Sequence, residues 1–269
     1  MPCDESASRQ SCWWEPEGGF FGELYMEADD SLRTFFEGET GLGDRTEAEA
    51  EGVLSLCGLA AGSRVLDCPS GYGRHSVALA GRGLDVTGVD INPLFLADAR
   101  ERAKETGASV RFVEGDMRKL PGLDPMDAVI NMFYSFGFFT QKEDLEVLRG
   151  FHRVLRPGGR FLMHTMVTIP ALRDGRVPAE ERRGLSSGRN LISRRRLDPD
   201  SSREHGEWVV VDRDGTEFPL APYDMRIYTD REFADLCRAA GFGAARCYGD
   251  WDGTPYQDSS PYLIVVATK

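Results

Sequence analysis

A chain of 269 residues, 41% hydrophobic and 28% charged, is long and apolar enough for one large α/β domain, or for one domain carrying an insertion. Its formal net charge of -12 repels phosphate backbones and anionic membrane surfaces, so neither nucleic acid nor a membrane is an expected partner. No run approaches the roughly 18 apolar residues of a membrane span, the first ten residues lack an apolar signal core, and the six cysteines show no C-x-x-C pair, so free thiols in a reducing cytoplasm are expected.

Residues 1–60 read as a helical cap. The first fifteen are polar apart from Trp13 and Trp14, which make a hydrophobic clasp. Beyond them Phe20, Phe21, Leu24 and Tyr25 share one face of a first helix, and a second from about Thr46, with Val53, Leu54 and Leu56, leads into the first strand.

Residues 64–90, RVLDCPSGYGRHSVALAGRGLDVTGVD, read as strand, glycine turn, helix and strand, a βαβ nucleotide-binding unit. Val65 and Leu66 form the buried strand, Ser76, Val77, Leu79 and Ala80 recur at helical spacing, and the second strand ends on Asp90. An acid at that distance can accept bonds from ribose hydroxyls. Glycine spacing alone leaves a dinucleotide open, with Ser76 as the third small residue. Asp67, at the end of the first strand, argues for a ligand that carries an ammonium group, because a carboxylate there repels a pyrophosphate.

From D-C-P-S-G-Y-G at 67–73 the chain resembles the class I S-adenosylmethionine-dependent methyltransferases, of the bacterial small-molecule type. Pro69 stands where that family's first glycine is usual, whereas Gly71 and Gly73 match. Asp90 matches the ribose-binding acid, Asp116 in EGDM the acid beside the adenine, and the turn at 155–159 the family's L-x-P-G-G. The resemblance implies a doubly wound, seven-stranded Rossmann-like core and S-adenosyl-L-methionine as cofactor. It implies cofactor contacts from Asp67, Pro69, Gly71, Gly73, Asp90, Ile91, Gly115, Asp116, Met117 and Asn131, and from Tyr25 and Arg45 of the cap at the methionine end.

The remaining core elements are a helix after Asn92 with Pro93 in its first turn, a strand VRFVEGD, a buried strand DAVINMF, a helix DLEVLRGFHRVL and a strand RFLMHTM. Residues 171–227 break this rhythm. RNLISRRRL, EHGEWVVVD and EFPLAPYDMRIYT read as three strands of an inserted antiparallel β-meander, serving as substrate lid or as a homo-oligomer interface, and its nine arginines between 173 and 203 read as a solvated strand face. Core segments 61–170 and 228–269 flank the insertion. In the second, Thr229 or Asp230 caps a helix that Gly241 ends, and GAARCYGD and YLIVVATK are closing antiparallel strands.

Phe133, Phe136 and Phe138 are the expected substrate walls, suited to cations through their ring faces. His164, directly after a strand, and Tyr134 are the candidate catalytic residues. Asn131 and Tyr134 share two positions with the N-P-P-Y motif of amide and base methylation, but Met132 and Phe133 replace its prolines and that match is not adopted. No metal-ligand spacing stands out. The expected reaction is therefore in-line methyl transfer to a small molecule, with an amine nitrogen preferred and oxygen or carbon open. An NAD-dependent oxidoreductase or a non-catalytic nucleoside-binding module are the alternatives.

Overall fold

The computed structural model of the chain describes residues 13–30, 42–133, 135–185 and 187–269. Two helices, α1 (Glu23–Asp30) and α2 (Leu42–Cys57), precede β1 (Arg64–Asp67), α3 (Arg74–Ala80), β2 (Asp85–Asp90), α4 (Pro93–Thr106) and β3 (Val110–Glu114). Next come β4 (Met126–Asn131), α5 (Gln141–Val154) and β5 (Leu155–Thr165). After the insertion, α7 (Asp230–Ala240), β11 (Ala244–Tyr248) and β12 (Leu263–Thr268) complete the core.

Seven of these strands form one sheet in the order β11-β12-β5-β4-β1-β2-β3. β1 to β5 are parallel, whereas β12 runs antiparallel to β5 and β11 antiparallel to β12. Its strands read as continuous apolar runs because helices cover both faces, and alternate residues feed two cores. Leu66, Val129, Phe161, Met163 and Val265 pack under α5 and α7, while Val65, Ala128, Ile130, Leu162 and Ile264 pack under α2 and α3. Phe151, Phe161 and Phe233 are fully buried in the first core, where truncation of such a ring costs about 3–5 kcal/mol.

Start signals explain the helix boundaries. Asn92 accepts from Leu94 N and places Pro93 in the first turn of α4, and Thr140 and Thr229 each close a capping box, with Glu143 on α5 and Glu232 on α7. α5 therefore begins at Gln141, three residues before the predicted DLEVL. The predicted turn at 155–159 is absorbed into β5: the register with β4 jumps from Met126↔Leu155 to Ala128↔Arg160, so the intervening residues bulge out of the ladder. Phe20 and Phe21 sit in turns before α1 rather than in it. Cys57, Cys68, Cys237 and Cys247 are free thiols.

The insertion is richer than the three predicted strands. It holds α6 (Ile169–Arg173), β6 (Glu180–Gly184), β7 (Asn190–Asp198), β8 (Arg203–Val211), β9 (Glu217–Pro219) and β10 (Tyr223–Arg226). The order β10-β8-β7-β6, with β9 also on β8, is an antiparallel meander. The predicted strand at 217–229 splits at residues 220–222, where Pro222 has no N–H to give the ladder. A third core, containing Phe20, Ala28, Phe138, Val167, Leu191, Trp208 and Met225, joins this sheet to the N-terminal segment. Polar ties add to it: Arg183 donates to Ala28 O at 3.1 Å, and Arg189 pairs with Glu27 at 3.0 Å. Among the described residues no helix is long and apolar enough to cross a membrane.

Candidate active site

Strand order reverses at β1, between β2 on one side and β4 on the other, which is where open α/β sheets leave a crevice outside the carboxyl ends of the strands. The glycine turn from β1 to α3 lies there. Gly73 has φ 75°, and a Cβ on it would stand 2.8 Å from Phe112 and 2.9 Å from Ala99, so only glycine fits both the conformation and the space. Gly71 N donates to Asp90 Oδ2 at 2.8 Å and Asn92 N to Asp90 Oδ1 at 2.9 Å, which pins the turn to the end of β2. Burial pushes the Asp90 carboxyl up to about 6, against the pull of those amides. Beneath the turn Asp67 is buried, accepts from Ser76 Oγ at 2.6 Å, and is pushed up to about 7, chiefly by burial.

A single cavity runs from this turn to the insertion. At one end Pro69, Gly71, Asp90 and Ile91 line it, and the bend after β3 adds Gly115, Asp116 and Met117. Asp116 is engaged by Arg118, whose Nη2 lies 2.7 Å from Oδ2 and whose guanidinium lies over Phe139 and Trp14. Tyr25, Phe133 and Phe138 form the waist. Trp13 stacks on Phe138 with centroids 4.5 Å apart, and Tyr25 on Trp208 at 5.4 Å. Asn92 Nδ2 donates to Phe21 O at 2.6 Å, holding the N-terminal segment over the end of β2.

Other predicted residues do not reach the cavity wall. Arg45, from α2, lies behind Phe133, 4.9 Å from its ring centroid, and is bonded to Glu49 at 2.8 Å. Asp67, Gly73 and Asn131 sit below the turn, and Asn131 Nδ2 donates to Cys68 O at 3.0 Å. Phe136 turns into the core against Phe233, with centroids 5.0 Å apart, so one of the three expected substrate walls is packing. His164 follows the parity of Leu162 and faces α2 and α3: it is wholly buried beside Trp251 and Tyr262, and burial lowers it to about 3. A proton acceptor at the cavity is thus not what the fold makes of it. Tyr134 lies outside the described residues.

The residues around the turn suit a nucleoside with an amino-acid tail. Ser70 Oγ, on the cavity wall, is buried with no hydrogen-bond partner among the described residues, which leaves it free to bond a ligand; Asp67 Oδ1 and Asn131 Oδ1, behind the wall, are likewise unpartnered.

Known proteins share this fold. The methyltransferase domain family matches residues 65–159. UbiE of Azotobacter vinelandii, a ubiquinone/menaquinone biosynthesis C-methyltransferase, is 38% identical over 116 residues, 41% of this chain and 45% of UbiE, so the chain spans under half the length of that relative. YqeM of Bacillus subtilis, classed among methyltransferases, is 34% identical over 217 residues, 77% of this chain and 84% of YqeM. The chain belongs to the class I S-adenosylmethionine-dependent methyltransferases. Among solved structures CalS10, an amino pentose methyltransferase from Micromonospora echinaspora with its S-adenosylmethionine bound, superposes with TM-score 0.66 at 25% identity over 92% of this chain and 97% of CalS10. S-adenosyl-L-methionine is accordingly the cofactor of this methyltransferase.

Two features of this methyltransferase's site were not legible as such. Glu49 of α2, buried, holds two guanidiniums and an imidazole: Arg45, Arg74 at 2.5 Å and His75 at 2.8 Å. Burial opposes its ionisation, but the His75 bond and the Arg74 charge outweigh that and hold its carboxyl far below the usual range. Through Glu49 the cap positions Arg74 and His75 on the cavity wall. The i, i+4 spacing of Arg45 and Glu49 was the one available signal. In the insertion the arginines divide by strand parity: Arg182, Arg194 and Arg196 face solvent, while Arg183 and Arg195 face the cavity with Glu181, Ser193 and Trp208.

Proposed function

We propose that this methyltransferase methylates the amine nitrogen of a small molecule held between the glycine turn and the inner face of the insertion. The observation that carries this reading is the continuity of one cavity, lined by Asp90 and Asp116 of the core and by Trp208 and Tyr223 of the insertion. In it Asp90 accepts from ribose hydroxyls, Asp116 and Met117 flank the adenine, and the backbone of Pro69 and Gly71 admits the ligand closely, with Gly73 shaping the turn behind them. Ile91 and Gly115 complete that wall. Tyr25 and Phe133 face the methionine end, with Arg45, Asp67 and Asn131 in support.

When bound, the cofactor supplies a methyl carbon already activated by an adjacent sulfonium. The chain's own work is alignment and exclusion of water, which Trp13, Tyr25, Phe133 and Phe138 perform by closing the waist with ring faces that also favour positive charge. CalS10, a structural relative at 25% identity, acts on an amino pentose, which supports nitrogen as the acceptor. The test is calorimetry with S-adenosylhomocysteine, then incubation with S-adenosylmethionine and a panel of amines, phenols and enolisable ketones, with S-adenosylhomocysteine formation as readout. Turnover of amines alone is expected. Turnover of phenols or carbon acids instead would replace nitrogen by oxygen or carbon, and a protein that binds NADH but no S-adenosylhomocysteine would overturn the reading.

A further inference from the structure

Three carboxylates line the cavity among the described residues, and two are already committed: Asp90 to the amides of Gly71 and Asn92, Asp116 to Arg118. The third is Glu181, on β6. It stands opposite Ser193 in the β6–β7 register, so both side chains point into the chamber that Trp208 and Tyr223 also line. Its side chain is 16% exposed, and its one ion pair, with Arg183, spans 3.9 Å, too far for a hydrogen bond. Burial pushes its carboxyl above the usual range against the charges of Arg183 and Arg195. Arg195 has an acid of its own in Glu204 at 3.9 Å, so the inner face pairs two arginines with two glutamates. Among the described residues no donor comes within hydrogen-bond reach of Glu181, and a half-buried carboxylate in that position is costly unless a ligand donor completes it.

We propose that Glu181 meets the acceptor nitrogen, accepts its N–H and takes its proton, which makes the substrate class a primary or secondary amine. This rests on the nitrogen reading above. The step balances: the lone pair of the neutral amine forms the N–C bond, the C–S pair leaves with sulfur, the positive charge passes to nitrogen, and the N–H proton moves to Glu181. The products are a neutral methylated amine and a carboxylic acid, which then releases its proton to water.

Benzylamine and benzyl alcohol, which differ only in the polar group, separate this role from general packing. With S-adenosylhomocysteine saturating, the wild-type protein should bind benzylamine at least tenfold more tightly than benzyl alcohol, and Glu181→Gln should bind the two within about twofold at unchanged S-adenosylhomocysteine affinity. With an amine from the panel that the enzyme methylates, Glu181→Gln should lower kcat about a hundredfold. Equal binding of the two probes by the wild type, a preference that survives in Glu181→Gln, or an unchanged kcat would overturn the proposal. Loss of S-adenosylhomocysteine binding by the wild type would instead overturn the methyltransferase reading, so the two failures are distinguishable.

Discussion

Asp90 commits one oxygen to each of two backbone amides before any ligand arrives, so its replacement acts twice. Asp90→Ala frees the glycine turn and removes the acceptor for the ribose hydroxyls, which are common to S-adenosylmethionine and S-adenosylhomocysteine. Both should bind weaker by a similar factor, about 2 to 4 kcal/mol by calorimetry. Unchanged affinity would take Asp90 out of the site. Asp116 differs, because its carboxylate is partly exposed and tied to Arg118, a pair of a kind worth under about 1 kcal/mol. Asp116→Asn keeps an acceptor at the adenine edge and should retain more affinity than Asp116→Ala. Equal effects of the two would assign the position to Arg118 rather than to the ligand.

The loop after β4 and the insertion meet at Gly137. Its φ is 104°, its carbonyl accepts from Arg226 N at 2.8 Å, and a Cβ there would fall on the Arg226 carbonyl. Gly137→Ala should therefore push the loop off β10, costing about 2 kcal/mol or more. It should move Phe138 out of its stack with Trp13 and cut turnover, with cofactor affinity held within about threefold; a folded variant with wild-type turnover would place acceptor recognition away from this seam. Nothing in GFF announces a backbone contact with residue 226, because such a contact depends on two segments far apart in the chain. The core was legible for the opposite reason: strands covered on both faces must be apolar throughout, and the Thr229 cap marks α7 locally, whereas the Thr140–Glu143 box of α5 went unread and put that helix's start three residues late. β6 escaped notice because EERRG turns its alternate residues to a polar cavity, which leaves no apolar period to read. His164, expected directly after a strand, lies inside β5, and only the sheet's parity says that it faces α2 and α3 rather than the cavity.

Across the whole molecule the buried ionisable groups oppose one another as pH changes. Asp67, Asp90 and Asp144 are raised by burial to between about 6 and 7, so the folded state binds more protons than the unfolded one above pH 4, and their contribution to stability is lost as pH rises through those values. His75 and His164 are lowered by burial to about 4 and about 3, so the unfolded state binds more protons below pH 6.5, and stability is lost as pH falls through that window. The two slopes overlap between about pH 4 and 6.5 and partly cancel. His164→Phe keeps an aromatic ring between Trp251 and Tyr262 while removing one of the two histidine terms. Relative to the wild type, the variant should gain about 2 to 3 kcal/mol on going from pH 7.5 to pH 4.5, whatever its offset at neutral pH. Urea midpoints at the two pH values read this directly. Parallel midpoint shifts in the two proteins would mean that His164 is charged or solvated in the fold, and would return it to consideration as a proton carrier beside the Glu49 cluster.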